Sequence, residues 1–259
     1  MPLISVVIPT LNEAAHIEGA LASLQGQAEH ETLVVDSGSQ DGTRESAVKM
    51  GARLIDYPGK PLGARYRGVQ EAKGEFILLL DADQVLRPDC LKHCLAAIKD
   101  KDLLILGESS FEPKGFTQRS ISRNKKAIEE AGRQGDYLHM YPRFFRKDVL
   151  LKAYALIPED LLPTVFVYDD ALLFSKLRQV SERISFVPEA VLHHEEESMT
   201  QLIRHSYRMG KSAAGIGELN LPGFYRADSP PNKFKKAVKG RYLTVAMFRE
   251  LSFQLGRRF

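Results

Sequence analysis

Two aspartates, Asp81 and Asp83, stand two residues apart, directly after the apolar run Phe76-Ile77-Leu78-Leu79-Leu80. Carboxylates at that spacing past a strand end offer hard oxygen ligands to one divalent cation, Mn²⁺ or Mg²⁺. Such a cation would neutralise a diphosphate. The same pattern also serves as a solvated turn. A second acidic pair, Asp169-Asp170, precedes a helical stretch. It suits a helix N-terminus as a cap, or it supplies a general base whose pKa is lifted by its neighbour and by burial. His193-His194 follows Val191-Leu192. An imidazole there can complete a metal site with Asp83, and strand alternation lets one of the two face it. A lone pair of histidines is more often structural or simply exposed. Arg204, Arg208 and Lys211 share one helical face at spacings of four and three. They form a solvated stripe or a phosphate clamp, a task that the guanidinium fork suits. Cys90-x-x-His93-Cys94 has no fourth ligand nearby and lies in a helical pattern, which argues against zinc.

The elements that must position these groups alternate. Ile4-Ser5-Val6-Val7-Ile8, closed by Pro9, reads as a buried strand. Asn12-Glu13 opens a helical pattern continued by Ile17, Leu21 and Leu24. Thr32–Val35 is a second strand ending at Asp36, followed by the turn Ser37–Thr43 and a helix to about Met50. Ala52–Ile55 is a third strand, Leu62–Ala72 a helix, and Glu75–Leu80 a fourth strand. Nearly all-apolar strands separated by helices predict an α/β fold with a mostly parallel, Rossmann-like sheet and helices on both faces. Ligands bind beyond the carboxyl ends of such strands. Pro9-Thr10-Asn12-Glu13, Asp36-Ser37 and Asp81/Asp83 should therefore converge on one crevice. Residues 107–135 break the rhythm and read as a mobile acceptor-side segment or a surface insertion. A strand at Tyr141–Arg146, another at Ile184–Pro188 and a helix over Gln201–Gly215 follow, and a last helix is expected from Lys233 almost to the end.

The 259 residues allow one large domain or two small ones. A hydrophobic share of 44% and a charged share of 27% describe a soluble globular chain and exclude collagen-like or wholly disordered classes. Two cysteines cannot build a disulfide framework and suggest a reducing, cytoplasmic setting. No apolar run of about 18 residues is present, so no spanning helix is expected, and Met1–Ser5 lacks the charged region of a signal peptide. The 36 Lys and Arg against 33 Asp and Glu give a formal charge of +3. That total hides an uneven spread. From Arg226 to Phe259 there are nine basic and two acidic residues, a balance of +7, which leaves −4 for the rest. Phe234, Val238, Val245, Phe248, Leu255 and Phe259 fall within a helical arc of about 100° among interleaved Lys and Arg. Residues 233–259 therefore pack on the body or lie on an anionic membrane face. Nucleic acid is not an expected partner, since the body is acidic and no recognition motif occurs. Dinucleotide, phosphate-loop and serine-hydrolase fingerprints are missing.

Together these residues resemble the family 2 glycosyltransferases, inverting enzymes with a GT-A fold, from about Ile4 to Gly210. Val6–Glu13 is similar to the opening nucleotide-binding strand and loop. Val34–Thr43 is similar to the second, whose Asp contacts the base. Gly63-Ala64-Arg65-x-x-Gly68 and Ala72-x-Gly74-Glu75 through Asp81-Ala82-Asp83 resemble the stretch ending in the family's D-x-D motif. The resemblance implies a GT-A domain over 1–225, with a nucleotide-binding half at 1–106 and an acceptor half at 107–225; the charge balance and helical arc add a basic amphipathic helical tail at 226–259. It implies a nucleoside-diphosphate sugar donor, UDP- or GDP-linked, and a hydroxyl acceptor, either lipid-linked or a small glycoside. Pro9, Thr10, Asn12, Glu13, Asp36, Ser37, Arg65, Asp81 and Ala82 would hold the nucleotide. Asp83, with His194 preferred over His193, would hold Mn²⁺ or Mg²⁺. Asp170 would be the general base with Asp169 beside it, and Arg204 and Arg208 would assist the diphosphate. The expected location is cytoplasmic, peripheral at the inner membrane face if the tail binds lipid. The alternatives are a sugar nucleotidyltransferase and a non-catalytic nucleotide-sugar-binding module. The loop Pro9–Glu13 lacks the Gly-rich, basic character of the first, and the intact acidic positions argue against the second.

Overall fold

The computed structural model describes residues 3–137, 140–166, 168–195 and 198–214, together with 251–252 and 254–255. Nearly all of the 226–259 tail, with its expected helix, lies outside the described residues.

Four strands open the sheet: β1 (Ile4–Thr10), β2 (His30–Asp36), β3 (Arg53–Asp56) and β4 (Phe76–Leu79). They are mutually parallel, with β1 between β2 and β4. Four more follow: β5 (Gln84–Leu86), β6 (Leu103–Ser110), β7 (Pro142–Arg146) and β8 (Ile184–His193). The order across the sheet is β3-β2-β1-β4-β7-β6-β8-β5. β7 is antiparallel to both neighbours, β4 and β6, and β5 is antiparallel to β8.

Alternation along the strands divides the core between the two faces. Ile4, Val6 and Ile8 pack with Ile17 and Leu21 of α1 (Ile17–Ala22), Ala47 of α2 (Thr43–Lys49) and Cys94 of α4 (Cys90–Ala97). Val7, Ile77 and Phe145 pack on the other face with α3 (Pro61–Glu71), α6 (Lys147–Tyr154) and α7 (Asp169–Val180). Each fully buried side chain of this kind contributes about 1.5–3 kcal/mol. Two glycines of the Gly63–Glu75 stretch are there for closeness. A Cβ on Gly68 would collide with Val7, so α3 can lie directly on β1. One on Gly74 would stand 2.7 Å from the Ser5 nitrogen, where Gly74 N–H donates to Ser5 Oγ.

Two expectations are corrected. Residues 107–135 are not an irregular insertion: they finish β6 and form α5 (Gly115–Arg133), 19 residues long. The residues α5 buries are Thr117, Ser120, Ser122, Glu129 and Gly132, so no apolar periodicity advertises the helix. Asn12-Glu13 does not open a helix either. Asn12 is left-handed, at φ 57°, and α1 starts at Ile17. Asn tolerates that conformation, and here the loop bonds to its neighbour. Asn12 N–H donates to Ser39 Oγ at 2.8 Å, and Asn12 Oδ1 accepts from Gln40 N–H at 3.0 Å.

Candidate active site

The carboxyl ends of β1, β2 and β4 meet at one edge of the sheet, as the parallel order requires. Because β7 runs antiparallel to β4, with Leu78 opposite Phe144, the beginning of β7 arrives at that same edge. It brings Arg143 beside Asp81.

The centre of the site is a partly buried cluster of three aspartates and two arginines. Arg65, on α3 and buried, places Nη2 2.5 Å from Asp81 Oδ1. Its Nη1 contacts Asp169 Oδ2 and lies 3.2 Å from Asp170 Oδ1. Arg143 Nη2 is 3.0 Å from Asp81 Oδ2 and 3.3 Å from Asp170 Oδ2, and its Nε is 4.0 Å from Glu108 Oε1. Buried charges persist only when paired, and here each guanidinium spans carboxylates from separate elements. Tyr168, left-handed at φ 62°, turns the chain so that Asp169 and Asp170 begin α7 facing these cations. Neither aspartate caps the helix backbone; their oxygens go to arginine.

With three carboxylates against two guanidiniums, protonation follows surroundings. Burial works against a charge on Asp81, yet Arg143 and Arg65 outweigh it and hold its carboxyl well below the usual range. Burial pushes Asp169 up to about 7, with Asp170 and Asp81 adding to the rise and Arg65 opposing it. The Asp169 side chain is 12% exposed and that of Asp170 22%, so Asp170 is the more reachable carboxylate.

Asp83 lies on the other side of buried Ala82. Its Oδ2 is 3.5 Å from His193 Nε2. Burial raises the Asp83 pKa, with His193 opposing. His194 donates its backbone N–H to the Asp83 carbonyl at 2.9 Å, while its ring packs against Phe111 at 4.4 Å and His16 at 5.2 Å. The ring opposite the Asp83 carboxylate is thus that of His193, where sequence reasoning preferred His194. The cause is register: Gln84 pairs with His193 across β5 and β8, so His193 faces the D-x-D turn.

The donor set fits a divalent cation. Asp83 offers a carboxylate oxygen and His193 an imidazole nitrogen. His193 Nδ1 is buried without a hydrogen bond, with Glu195 Oε1 3.7 Å away. Glu195 itself accepts from Ser110 Oγ at 3.0 Å and pairs with Lys125 Nζ at 2.8 Å. Burial opposes its charge, but His193 and Lys125 prevail and hold the carboxyl down at about 2. Among the described residues no group of three or more His, Cys, Asp and Glu could hold a metal unaided. Two protein ligands leave positions for phosphate oxygens and water, the usual Mg²⁺ arrangement.

The loops after β1 and β2 are stitched together by hydrogen bonds. Asp36 Oδ1 accepts from the N–H groups of Gly38 (3.0 Å) and Ser39 (2.9 Å) and from Arg44 Nη1 (2.9 Å). Its Oδ2 accepts from Thr10 Oγ1 (3.0 Å) and Ser39 Oγ (2.5 Å). Burial would raise its pKa, but these donors hold it below the ordinary value. Five donors occupy the carboxylate, so in this structure Asp36 shapes its own loop. Ser37 N–H donates to the Thr10 carbonyl at 2.9 Å, and Glu13 N–H to Thr43 Oγ1 at 2.8 Å. Pro9 and Ser37 are half-buried beside them. Arg204 and Arg208 lie on α8 (Met199–Ala214), both exposed, and among the described residues no ion pair joins either to the cluster.

Arg143, Glu108, Lys125 and Glu195 belong to the site and were not picked out from sequence. Arg143 stands at a strand start, where only the antiparallel entry of β7 reveals it. Lys125 and Glu108 fell in the stretch that lacked periodicity.

Residues 5–154, more than half of the chain, match the model of glycosyl transferase family 2. The protein belongs to this family and is a glycosyltransferase with a GT-A fold. It is 25% identical to the glycosyltransferase AglE of Haloferax volcanii over 279 aligned residues, 96% of this chain and 90% of AglE. It is also 25% identical to the poly(ribitol-phosphate) beta-N-acetylglucosaminyltransferase TarS of Staphylococcus aureus, over 96% of this chain but 44% of TarS. Among solved structures, TarS 1-349 in complex with UDP-GlcNAc superposes with a TM-score of 0.57 at 22% identity, covering 96% of this chain and 73% of that one. Glucosyl-3-phosphoglycerate synthase from Mycobacterium tuberculosis, with Mn²⁺, UDP and glucosyl-3-phosphoglycerate, gives 0.55 at 19% identity, covering 83% and 79%.

Proposed function

We propose that the protein transfers a sugar from a UDP-linked donor to an acceptor hydroxyl with inversion, with Asp170 as general base. The observation carrying this reading is the placement of Asp170. Its carboxylate is the more exposed of the pair and is held by Arg65 and Arg143, the two guanidiniums that also hold Asp81 of the D-x-D turn. Base and donor site are thus fixed to one another through a shared pair of cations. Bound UDP-GlcNAc and UDP in the two structural neighbours support a uridine donor.

The stitched Thr10–Glu13 and Asp36–Thr43 loops present a preorganised rim for the nucleoside, which lowers the ordering cost of binding. Asp81, kept ionised, faces the same crevice. Asp83 and His193 would hold Mn²⁺ or Mg²⁺, which when bound stabilises charge on the departing diphosphate as a Lewis acid. Asp170 takes the proton of the acceptor hydroxyl as its oxygen attacks the anomeric carbon, and the nucleoside diphosphate leaves from the opposite face. Arg65 and Arg143 keep Asp170 in one orientation. The acceptor is a hydroxyl on a lipid-linked or small glycoside.

Asp170→Asn tests the assignment. Loss of the base should lower kcat by about 10²–10⁴-fold while UDP affinity, measured by calorimetry, stays within a few-fold. Transfer at the wild-type rate would remove Asp170 from the role.

A further inference from the structure

His193 is flanked by two carboxylates that compete for its proton. Asp83 Oδ2 lies 3.5 Å from Nε2, and Glu195 Oε1 lies 3.7 Å from Nδ1. A neutral imidazole carries one N–H and one lone pair, and the partner of one nitrogen decides the state of the other. A proton drawn to Nε2 by Asp83 would block that nitrogen as a ligand. A proton drawn to Nδ1 by Glu195 would free it.

The two competitors are not equally placed. Glu195 is built in: its side chain is 5% exposed, fixed by Ser110 Oγ and by Lys125 Nζ, and its carbonyl accepts from Gln118 Nε2 at 3.1 Å. From α5, Lys125 thereby braces the carboxylate and Gln118 holds the Glu195 backbone. Among the described residues no lysine or arginine pairs with Asp83, whose side chain is 35% exposed. The gap at Nδ1 is roughly 0.5 Å beyond a normal hydrogen bond, a distance that a small ring rotation closes. Lys125 also reaches Glu108 Oε2 at 3.4 Å, and Glu108 lies beside Arg143, so one lysine adjoins both the histidine limb and the aspartate cluster.

We propose that Glu195, held by Lys125 of α5, is a positioning residue that keeps the His193 proton on Nδ1 and its Nε2 lone pair directed at the cation site. This rests on the reading of Asp83 and His193 as cation ligands. It gives α5, whose buried face is polar, a reason for that polarity: the helix orients a ligand instead of filling a core.

The test uses the full chain and two readouts. Imidazole ¹⁵N shifts of metal-free protein report the His193 tautomer, and calorimetric titration with MnCl₂ in the presence of UDP reports cation affinity. Glu195→Gln should move His193 toward the Nε2–H form and weaken Mn²⁺ binding by about 10–100-fold, with metal-free UDP affinity unchanged. Lys125→Met should act in the same direction, and Lys125→Arg should restore most of the loss. Should Glu195→Gln fail to fold, Glu195→Asp, which withdraws the carboxylate from Nδ1, gives the same comparison. Wild-type tautomer and wild-type Mn²⁺ affinity in Glu195→Gln would overturn the proposal while leaving the ligand reading intact. Unaltered Mn²⁺ affinity in His193→Ala would overturn the ligand reading and the proposal with it.

Discussion

Replacing Arg143 with methionine should unbalance the aspartate cluster in a way that pH exposes. Arg143 is 9% exposed and its guanidinium faces Asp81 at 3.0 Å and Asp170 at 3.3 Å. Methionine fills much of the volume but removes the charge, leaving Asp81, Asp169 and Asp170 with Arg65 alone. Removing one partner of a buried ion pair costs about 3–5 kcal/mol. At roughly 2–4 °C per kcal/mol for a domain of this size, Tm should fall by about 6–20 °C. The sign with pH follows from Asp81. Arg143 and Arg65 depress its pKa, so in the wild type its contribution is present above the ordinary carboxylate range and is lost only in stronger acid. Without Arg143 that pKa rises, so Asp81 takes up its proton at a higher pH than in the wild type. The deficit should therefore be largest at pH 8 and shrink at pH 5. The assay is thermal unfolding followed by circular dichroism at the two pH values. Arg143→Lys should recover part of the loss, because one ammonium cannot bridge both aspartates as the planar fork does. A deficit under about 1 kcal/mol, the most that a solvent-exposed pair contributes, or one equal at pH 5 and pH 8, would refute the reasoning.

Asp169, pushed up to about 7 by burial, has a folded pKa above its unfolded one, so the wild type loses stability as pH rises from about 4 towards 7. Asp169→Asn should lack that loss, and its Tm relative to wild type should climb between pH 5 and pH 8; a constant difference counts against the raised pKa. Gly68→Ala drives a methyl into Val7 at the α3–β1 contact and should cost about 1–3 kcal/mol, read by urea unfolding; a neutral result would mean that α3 can move away freely. We further propose that residues 233–259 bind anionic membranes. Full-length protein should sediment with phosphatidylglycerol vesicles in low salt and a 1–232 truncation should not, and equal sedimentation would exclude the tail as the anchor.

Local patterning told a good deal of this molecule. The apolar runs of β1 to β4 and the breaker-rich turns between them announce a covered parallel sheet. The rule for such sheets then places Thr10, Asp36 and Asp81 at one edge, because side chains at the carboxyl ends of parallel strands share that edge whatever lies further along the chain. Asp169-Asp170 was legible as an acidic pair, though cap and base looked alike until their oxygens were seen on Arg65 and Arg143.

What the sequence by itself determined is therefore the set of acidic groups and the strand ends that carry them, since hydrophobic period and turn chemistry are short-range properties. Only the tertiary structure decided their partners. Arg143 joins Asp81 because β7 inserts antiparallel beside β4, and His193 faces Asp83 because β5 pairs with β8 in one register and not the next. Lys125 reaches Glu195 because α5 buries a polar face that mimics solvent exposure in the sequence. Ion pairs and registers link residues tens to about a hundred positions apart, and no local signal encodes which strand will lie next to which.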